Sequence, residues 1–212
     1  HRDLHLSLRR QRQMCIRDRN YARLLDSMAP LMEEPEKLYE ALEFYYEAYQ
    51  KHNSGMWAEK LGLEEFNAGD HELVTELTSI LQRVETDMTI FFRLLSEIKE
   101  PNIDHLRFAF YAEDAIPAHE WNDWLNKWWS RVSGKPSQEK MRRANPKYVL
   151  RNWMAQLAID AAEKEDYSVA IELYELLKRP YDDQPEYDDK WFKKRPEWAR
   201  NRVGCSMLSC SS

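Results

Sequence analysis

The sequence predicts an all-α protein, and its glycine content and apolar spacing are the main reasons. The chain has 212 residues and five glycines, whereas β-rich architectures with many tight turns normally contain more. From residue 20 onward, apolar side chains recur every three to four residues, which is the period of an amphipathic helix. Aromatic residues make up 12% of the chain, enough large apolar side chains for a packed core despite 32% charged residues. We therefore expect an irregular multi-helix fold.

Four apolar stripes predict helices in the first half of the chain. Pro30 and Pro35 punctuate the first two stripes, and the glycines at 55, 62 and 69 predict an interrupted stretch before the third. Asp70 is predicted to cap the third helix because its carboxylate can accept backbone N–H groups there. Pro101 ends the fourth helix. The stripes are Leu24, Leu25, Met28 and Met32; Leu38, Leu42, Tyr45 and Tyr49; Leu73, Leu77, Ile80, Leu81 and Val84; and Met88, Phe91, Phe92, Leu95 and Ile98.

Proline residues also introduce the helices of the second half. Pro117 precedes an aromatic face, which we assign to core packing rather than to a stacking platform for a ligand. Asn145 and Pro146 predict a helix start, with Asn as N-cap and Pro at the first helical position. From Pro180 onward there are three prolines and no sustained periodicity, so we expect an extended tail. The residues expected to face inward are Trp121, Trp124, Leu125, Trp128 and Val132; Val149, Leu150, Trp153, Met154, Leu157 and Ala161; and Ala170, Leu173, Tyr174 and Leu177.

The first nineteen residues differ sharply from the rest of the chain. They hold six Arg, no Lys and no apolar periodicity, and they resemble translated read-through of a sequencing adapter. We therefore treat residues 1–19 as a non-native leader, with a basic targeting tag as the alternative. His1 to Leu4 imitates a kinase catalytic loop, but Leu8 stands where that motif needs Asn. Without the leader, the chain has 25 basic and 35 acidic residues, a formal charge of −10 rather than −6, which argues against nucleic-acid binding.

Cysteine usage and hydropathy indicate a cytoplasmic protein. The three cysteines, Cys15, Cys205 and Cys210, are too few for a disulfide framework. The start of the chain lacks the apolar core of a secretory signal. No apolar run approaches the roughly 20 residues that a membrane span needs. We expect neither a membrane nor a nucleic acid as a partner.

The residue chemistry by itself identifies no active site. His119 and Glu120 begin a zinc-like His-Glu-x-x-His pattern, but Asp123 stands at the place of the second histidine. The acidic pairs at 182–183 and 188–189 have the oxygen ligands that a divalent ion prefers, but we expect them to be solvated in a polar tail. No glycine-rich phosphate loop and no Ser/His/Asp or Cys/His set can be assembled. We therefore assign no catalytic, nucleotide-binding or metal-binding residue in this chain.

The longest motif runs from Lys140 to Tyr187, with the sequence KMRRANPKYVLRNWMAQLAIDAAEKEDYSVAIELYELLKRPYDDQPEY. Its Asn-Pro-Lys-Tyr opening, two-helix unit and Tyr-Asp-rich turn resemble the C-terminal signature of the selenoprotein O (SelO) family of protein adenylyltransferases. The ending is similar too, with Trp198-Ala199-Arg200, then Cys205, then a cysteine third from the end. NYARLLDSMAPLM and DMTIFFRLLSEI are weaker matches upstream. We therefore divide the chain into the leader (1–19), a helical C-terminal region of the SelO family (20–180) and a tail with the terminal cysteine (181–212).

The resemblance implies an enzyme of kinase-like, or pseudokinase, fold that transfers AMP from ATP to hydroxyl side chains of proteins, with magnesium as its metal. In that family the residues that bind nucleotide and metal precede the region corresponding to Asn20. We therefore expect this chain to be a C-terminal fragment without the catalytic centre, inactive alone and packed on the kinase-like lobe. The partners of the whole enzyme would be its substrate proteins.

One functional position transfers from the family to this chain, the cysteine at position 210. The family has selenocysteine or cysteine third from the end, and Cys210 occupies that place, so the resemblance implies a redox role for it. Cys205 is the second-ranked redox candidate. A local bridge between the two would require suitable geometry, which spacing alone does not supply.

A protein-binding module is the alternative function. Ala158 to Arg179 looks like part of a tetratricopeptide-type helical hairpin, with small residues where the helices would cross. Such modules need about three stacked copies at a period near 34 residues to bury a continuous core. The sequence contains no second copy.

Overall fold

The computed structural model describes residues 19–34, 36–112 and 117–205. Within these ranges the regular secondary structure is helical, apart from isolated bridge residues, of which Thr86 and Phe110 pair with each other in antiparallel orientation. The predicted all-α class is therefore confirmed. The chain divides into two compact units, one comprising the residues up to Ala58 with Glu65–Val84, the other comprising Glu59–Glu64 with the residues from Glu85 onward.

The first unit consists of helices at the beginning of the chain. Tyr21 packs on Tyr45, with the ring centroids 4.5 Å apart. The third predicted stripe is buried at Leu73, Leu77 and Ile80, as its period required. The elements are α1 (residues 19–28), a 3₁₀ turn (Ala29–Leu31), α2 (Glu36–Leu61), whose last residues belong to the second unit, and α3 (Asp70–Arg83).

Two predictions about the boundary between α2 and α3 are wrong. α2 continues through Gly55, because the buried Ala58 and Leu61 beyond it offset a glycine penalty of about 1 kcal/mol. The interruption lies instead at Gly62, whose φ of 67° is left-handed. Asp70 is the first residue of α3 rather than its cap, and its carboxylate accepts the Asn67 N–H at 2.7 Å.

The second unit has an aromatic core. Phe91 and Phe110 each lie against Trp121, with ring centroids 5.3 Å away. Trp124 and Trp128 stack in parallel at 6.1 Å. The predicted aromatic core face is therefore confirmed. The elements of this unit are α4 (Met88–Leu95), a 3₁₀ helix (Ile103–Ala109), α5 (Ala118–Arg131), α6 (Gln138–Ala144), α7 (Asn152–Ala162), α8 (Ser168–Leu177), a 3₁₀ turn (Pro185–Tyr187), α9 (Asp188–Trp191) and a 3₁₀ turn (Glu197–Ala199).

The predicted helix start at Asn145 is wrong. Asn145 is the C-cap of α6, and its side-chain amide accepts a hydrogen bond from Lys60 Nζ at 2.7 Å and donates one to the Lys60 carbonyl at 3.0 Å. A tertiary contact thus uses the side chain that was expected to cap a helix. α7 begins at Asn152, so Val149 and Leu150 lie outside it and are exposed rather than inward-facing.

α7 and α8 form the predicted helical hairpin, but α8 faces the core with a different stripe. Its buried residues are Leu173 and Leu176. Ala170 and Tyr174, which were expected to face inward, are exposed. The helix has apolar residues on two faces, and period alone does not say which face is buried.

The segment predicted as an extended tail is folded as far as Cys205. It contains no long helix, in keeping with its prolines, but Gln184, Trp191, Ala199 and Cys205 are all buried. These residues do not recur at a single period, so their burial leaves no helical signature in the sequence. Residues 206–212 lie outside the described ranges.

Candidate functional site: the docked C-terminal segment

The docked segment, residues 181–205, lies on the hairpin of α7 and α8. Trp191 anchors it in an apolar cluster, with its ring 5.8 Å from that of Trp153. The Trp191 indole N–H donates to Glu172 at 2.6 Å, and Lys190 contacts the same carboxylate at 2.6 Å. The buried members of the cluster are Tyr148, Trp153, Met154, Leu173, Leu176, Trp191, Ala199 and Cys205.

The beginning of the docked segment carries Asp183, which faces three cations. Arg93, whose side chain is 2% exposed, donates to it at 2.5 Å, while Arg142 lies at 3.2 Å and Lys147 at 3.7 Å. Partial burial would raise the pKa of the Asp183 carboxyl, but the hydrogen bond from Arg93 and the charges of the three cations lower it below its ordinary value. Asp183 thereby neutralises a buried arginine, which would otherwise be costly in the core.

Asp188, farther along the docked segment, holds the loop between α6 and α7. Lys147 Nζ lies 2.8 Å from its carboxylate. The Tyr148 hydroxyl also contacts Asp188 and lies 2.9 Å from the Gln184 carbonyl. Burial, followed by the hydrogen bond and charge of Asp188, raises the pKa of Tyr148 well above its ordinary value. The hydroxyl therefore stays protonated and acts as a structural donor.

Asp87 and Arg151 form the most enclosed ion pair of this region. Their side chains are 6% and 16% exposed, and the pair is bidentate, with one N–O distance of 2.8 Å. Asp87 is also the N-cap of α4, because its carboxylate accepts the Ile90 N–H at 3.1 Å. Arg151 in addition donates to the Lys193 carbonyl at 3.0 Å. One arginine thus joins the start of α4 to the docked segment.

The last part of the docked segment is basic and is held by polar contacts. Glu85 accepts from Arg195 at 2.7 Å and from Arg200 at 3.1 Å. Lys194 Nζ donates to the Phe110 carbonyl at 2.5 Å. The Arg195 backbone N–H donates to the Tyr111 hydroxyl at 3.0 Å. Asp183 and Asp188 near the start of the segment, and Arg195 and Arg200 near its end, therefore have partners of opposite charge.

Cys205 ends the described chain in a closed environment. Its thiol is free, the residue as a whole is 8% exposed, and its carbonyl accepts a hydrogen bond from Asn152 Nδ2 at 3.2 Å. Burial raises the pKa of the Cys205 thiol above its ordinary value, even though the charge of Arg202 lowers it. Arg202 forms a bidentate pair with Asp160, with N–O distances of 2.7 and 2.8 Å. The geometry makes Cys205 an anchoring residue with a protonated thiol.

The two cysteines proposed from the sequence have different outcomes. Cys210 lies outside the described residues, so its redox role stays a prediction. Cys205 lies in the core of the α7–α8 region, and no cysteine partner is present for it within the described ranges. The sequence reasoning missed the ion-pair network. A signal for it existed in Arg93, a charged residue inside the apolar run IFFRLL, because a charge on a buried face requires a partner.

The acidic side chains of the docked segment are poor candidates for metal ligands. Asp183 and Asp188 are both engaged by cationic side chains. Across residues 19–34, 36–112 and 117–205, no three His, Cys, Asp or Glu residues are grouped to hold a metal ion. The carboxylates of Asp183 and Asp188 are thus already neutralised by cations within the fold. None of the helices in the same ranges has the length and apolarity needed to cross a membrane.

Comparison with known proteins gives several long matches. The protein nucleotidyltransferase YdiU of Flavobacterium johnsoniae is 46% identical over 206 residues, which covers 91% of this chain and 39% of the relative. The YdiU proteins of Rhodopirellula baltica and Aromatoleum aromaticum are 44% and 42% identical, again over 91% of this chain and over 40% and 38% of their own lengths. The chain therefore spans about two fifths of the length of these curated relatives.

A match to a protein-family model agrees with these relatives. The model described as protein adenylyltransferase SelO matches residues 1–178. This range includes residues 1–19, whose non-native origin stays a prediction. Because the match covers well over half of the chain and agrees with the YdiU relatives, the chain belongs to the SelO family.

Proposed function

We propose that this chain is the helical C-terminal region of a protein adenylyltransferase that transfers AMP from ATP to hydroxyl side chains of target proteins. We further propose that the chain alone does not carry out the transfer. Family membership and the name nucleotidyltransferase on its relatives support the first statement. The second is supported by the share of the relatives that the chain spans, about two fifths.

The observation that carries this proposal is that the buried cationic side chains pair with carboxylates of the same chain. Arg93 and Lys147 point at carboxylates of the docked segment, and Arg151 points at Asp87. Adenylyl transfer needs cations and a metal ion that stabilise negative charge on the phosphates. The cations here are already neutralised within the fold, which favours a structural role. ATP and magnesium would bind to residues in the remaining length of the relatives.

The partners that follow from this role are proteins. The helical region would pack on the kinase-like lobe of the whole enzyme, and the substrate proteins would be its transient partners. Neither nucleic acid nor a membrane is expected as a partner, and the expected compartment is the cytoplasm. The acidic net charge of −6 supports the exclusion of nucleic acid.

The proposal is tested by comparing three proteins with labelled ATP, magnesium and a mixture of candidate substrate proteins. They are this chain alone, the full-length Flavobacterium johnsoniae relative, and a chimaera in which this chain replaces the aligned region of that relative. We expect AMP-modified peptides by mass spectrometry with the relative and the chimaera, and none with the chain alone. Transfer by the chain alone would contradict its assignment as a supporting region, and a relative without transfer activity would contradict the reaction itself.

Cys210 is the redox element in this proposal. The buried environment of Cys205, with its raised thiol pKa, supports the ranking of Cys210 first. The chimaera provides the test, because AMP transfer can be measured in reduced and oxidised glutathione buffers. Cys210→Ser is expected to abolish the dependence of transfer on redox state, whereas Cys205→Ser is expected to keep it. The opposite pattern would assign the role to Cys205.

The protein-binding module remains as the second candidate function because α8, together with its N-cap Tyr167, presents an exposed apolar stripe. Tyr167, Ile171 and Tyr174 are each about three fifths exposed and lie at i, i+4 and i+7. Hydroxyl-radical footprinting of the chimaera distinguishes the two functions. Protection of Tyr167 and Tyr174 relative to the isolated chain would mean that the rest of the enzyme covers the stripe. Equal modification in both proteins would favour a binding surface.

A further inference from the structure

The terminal strap, residues 193–205, is held differently from the rest of the docked segment. In the part of the docked segment before the strap, Trp191 and Gln184 are buried. In the strap, the buried residues are Ala199 and Cys205, which have small side chains. Trp198, the largest side chain of the strap, is 43% exposed. Apolar burial therefore contributes much less to holding the strap than to holding the residues before it.

Polar contacts provide the other attachments of the strap. The ion pair between Arg202 and Asp160 is partly exposed, with 41% and 30% of the two side chains accessible. The pairs of Glu85 with Arg195 and Arg200 are exposed to a similar degree. Ion pairs in contact with water are weakened by salt, because dissolved ions screen the charges. The three ion pairs should therefore weaken together as ionic strength rises, which leaves the strap held by hydrogen bonds to neutral groups, such as those of Arg151 with the Lys193 carbonyl and of Asn152 with the Cys205 carbonyl.

From these observations we propose that the terminal strap is a salt-sensitive latch. It detaches as a unit while α4 to α9 stay folded, and its detachment exposes the thiol of Cys205. Trp191 marks the boundary, since its indole ring packs on Trp153 and its N–H donates to Glu172. Local openings of this kind occur where a segment makes few buried apolar contacts and many exposed polar ones.

The latch determines whether the thiol of Cys205 is accessible to reagents in solution. In the docked state the buried Cys205 thiol is shielded from solution and from disulfide exchange. In the detached state the same thiol is accessible to an oxidant or to a disulfide on another molecule. Reactivity of Cys205 is then set by whether the strap is docked. This conclusion does not depend on the adenylyltransferase proposal.

The test measures how fast Cys205 reacts with N-ethylmaleimide, an uncharged reagent whose approach salt does not alter. The Cys15→Ser, Cys210→Ser chain is used so that Cys205 is the remaining thiol. Between about 0.05 M and about 1 M NaCl, screening of the strap ion pairs is expected to raise the rate roughly tenfold, with unchanged helical circular dichroism. Arg202→Gln in the same background is expected to raise the low-salt rate about fivefold and to reduce the response to salt.

Arg143→Gln is the matched control. It also removes an arginine ion pair, with Glu139 at 2.7 Å, but on α6 rather than on the strap, and it should leave the labelling rate unchanged. Three results would each overturn the proposal. The rate could be unaffected by salt and by Arg202→Gln, Arg143→Gln could raise it equally, or it could rise only when the helical signal is lost. Hydrogen exchange that is faster at residues 193–205 than around Trp191 would support it independently.

Discussion

The ion pair of Asp87 with Arg151 leads to the most specific prediction about stability. Asp87 accepts the Ile90 N–H at the start of α4 and pairs with Arg151, and the two side chains are 6% and 16% exposed. Asp87→Asn keeps an oxygen that can cap the helix but removes the negative charge. Arg151 is then left with a poorly compensated charge in a nearly enclosed position.

The expected cost follows from these contacts. Removing one partner of a buried ion pair typically costs 3–5 kcal/mol, and Arg151 keeps the Lys193 carbonyl as an acceptor, so we take about 3 kcal/mol for Asp87→Asn. Asp87→Ala also removes the helix cap, which adds about 1 kcal/mol. Combining Asp87→Asn with Arg151→Met should cost less than the sum of the two single changes, because the uncompensated charge is removed.

Urea unfolding followed by tryptophan fluorescence measures these values, since all tryptophans except Trp57 lie in the second unit. Asp104→Asn is the control. Asp104 pairs with Arg107 at 2.6 Å, but the two side chains are 61% and 43% exposed, so the expected loss is at most about 0.5 kcal/mol. A loss for Asp87→Asn no larger than that for Asp104→Asn would contradict an enclosed ion pair at Asp87. So would a loss for the double mutant equal to the sum of the two single losses.

Three further predictions concern charge, backbone and core. The pKa of Asp183 is lowered, so its contribution is present above its unfolded pKa of about 3.9 and is lost as pH falls through the lower folded value. The stability difference between wild type and Asp183→Asn in urea unfolding should therefore shrink below about pH 4, and a difference that persisted in strong acid would contradict this assignment. Gly204→Ala should cost about 1–2 kcal/mol, because φ is 84° and the new Cβ would lie 3.0 Å from Gln156. Gly55→Ala, with no atom within 4 Å, should instead stabilise the first unit by about 0.5–1 kcal/mol, measured by urea unfolding followed by helical circular dichroism. Trp128→Ala should cost about 3–5 kcal/mol, since Trp128 stacks on Trp124 and donates to the Leu61 carbonyl at 2.9 Å. Trp198→Ala, on the surface, should cost about 0.5 kcal/mol, and similar losses for the two tryptophans would contradict the burial of Trp128.

The helical period made the helices and the aromatic core predictable. The stripe of Trp121, Trp124 and Trp128 is buried as its spacing required. Helix ends were less predictable because capping depends on tertiary contacts as well as on residue type. Asn145 has the side chain of an N-cap, but Lys60, which is 85 residues away in sequence, uses that side chain. Local sequence does not contain this information.

The docked segment was the least predictable part. Its attachment depends on pairs such as Arg93 with Asp183, separated by 90 residues, and Glu85 with Arg200, separated by 115. A single sequence shows that both charges exist but not that they meet. Arg93 inside the apolar run IFFRLL was a signal that an acidic partner was needed, but it was not used to predict the site. The candidate redox residues came from the resemblance to the SelO family, and the sequence alone did not reveal that Cys205 is enclosed.

The terminal strap contacts residues that lie far from it in the sequence, and this affects the order of folding. Its contacts join residues that are 42 to 115 positions apart in the sequence. A ribosome releases the chain from its N-terminal end, so Glu85, Phe110 and Asp160 emerge long before the strap does. Contacts between residues so far apart in sequence form more slowly than the local contacts of a helix. We therefore expect docking of the strap to be among the last steps of folding, onto helices that have already formed.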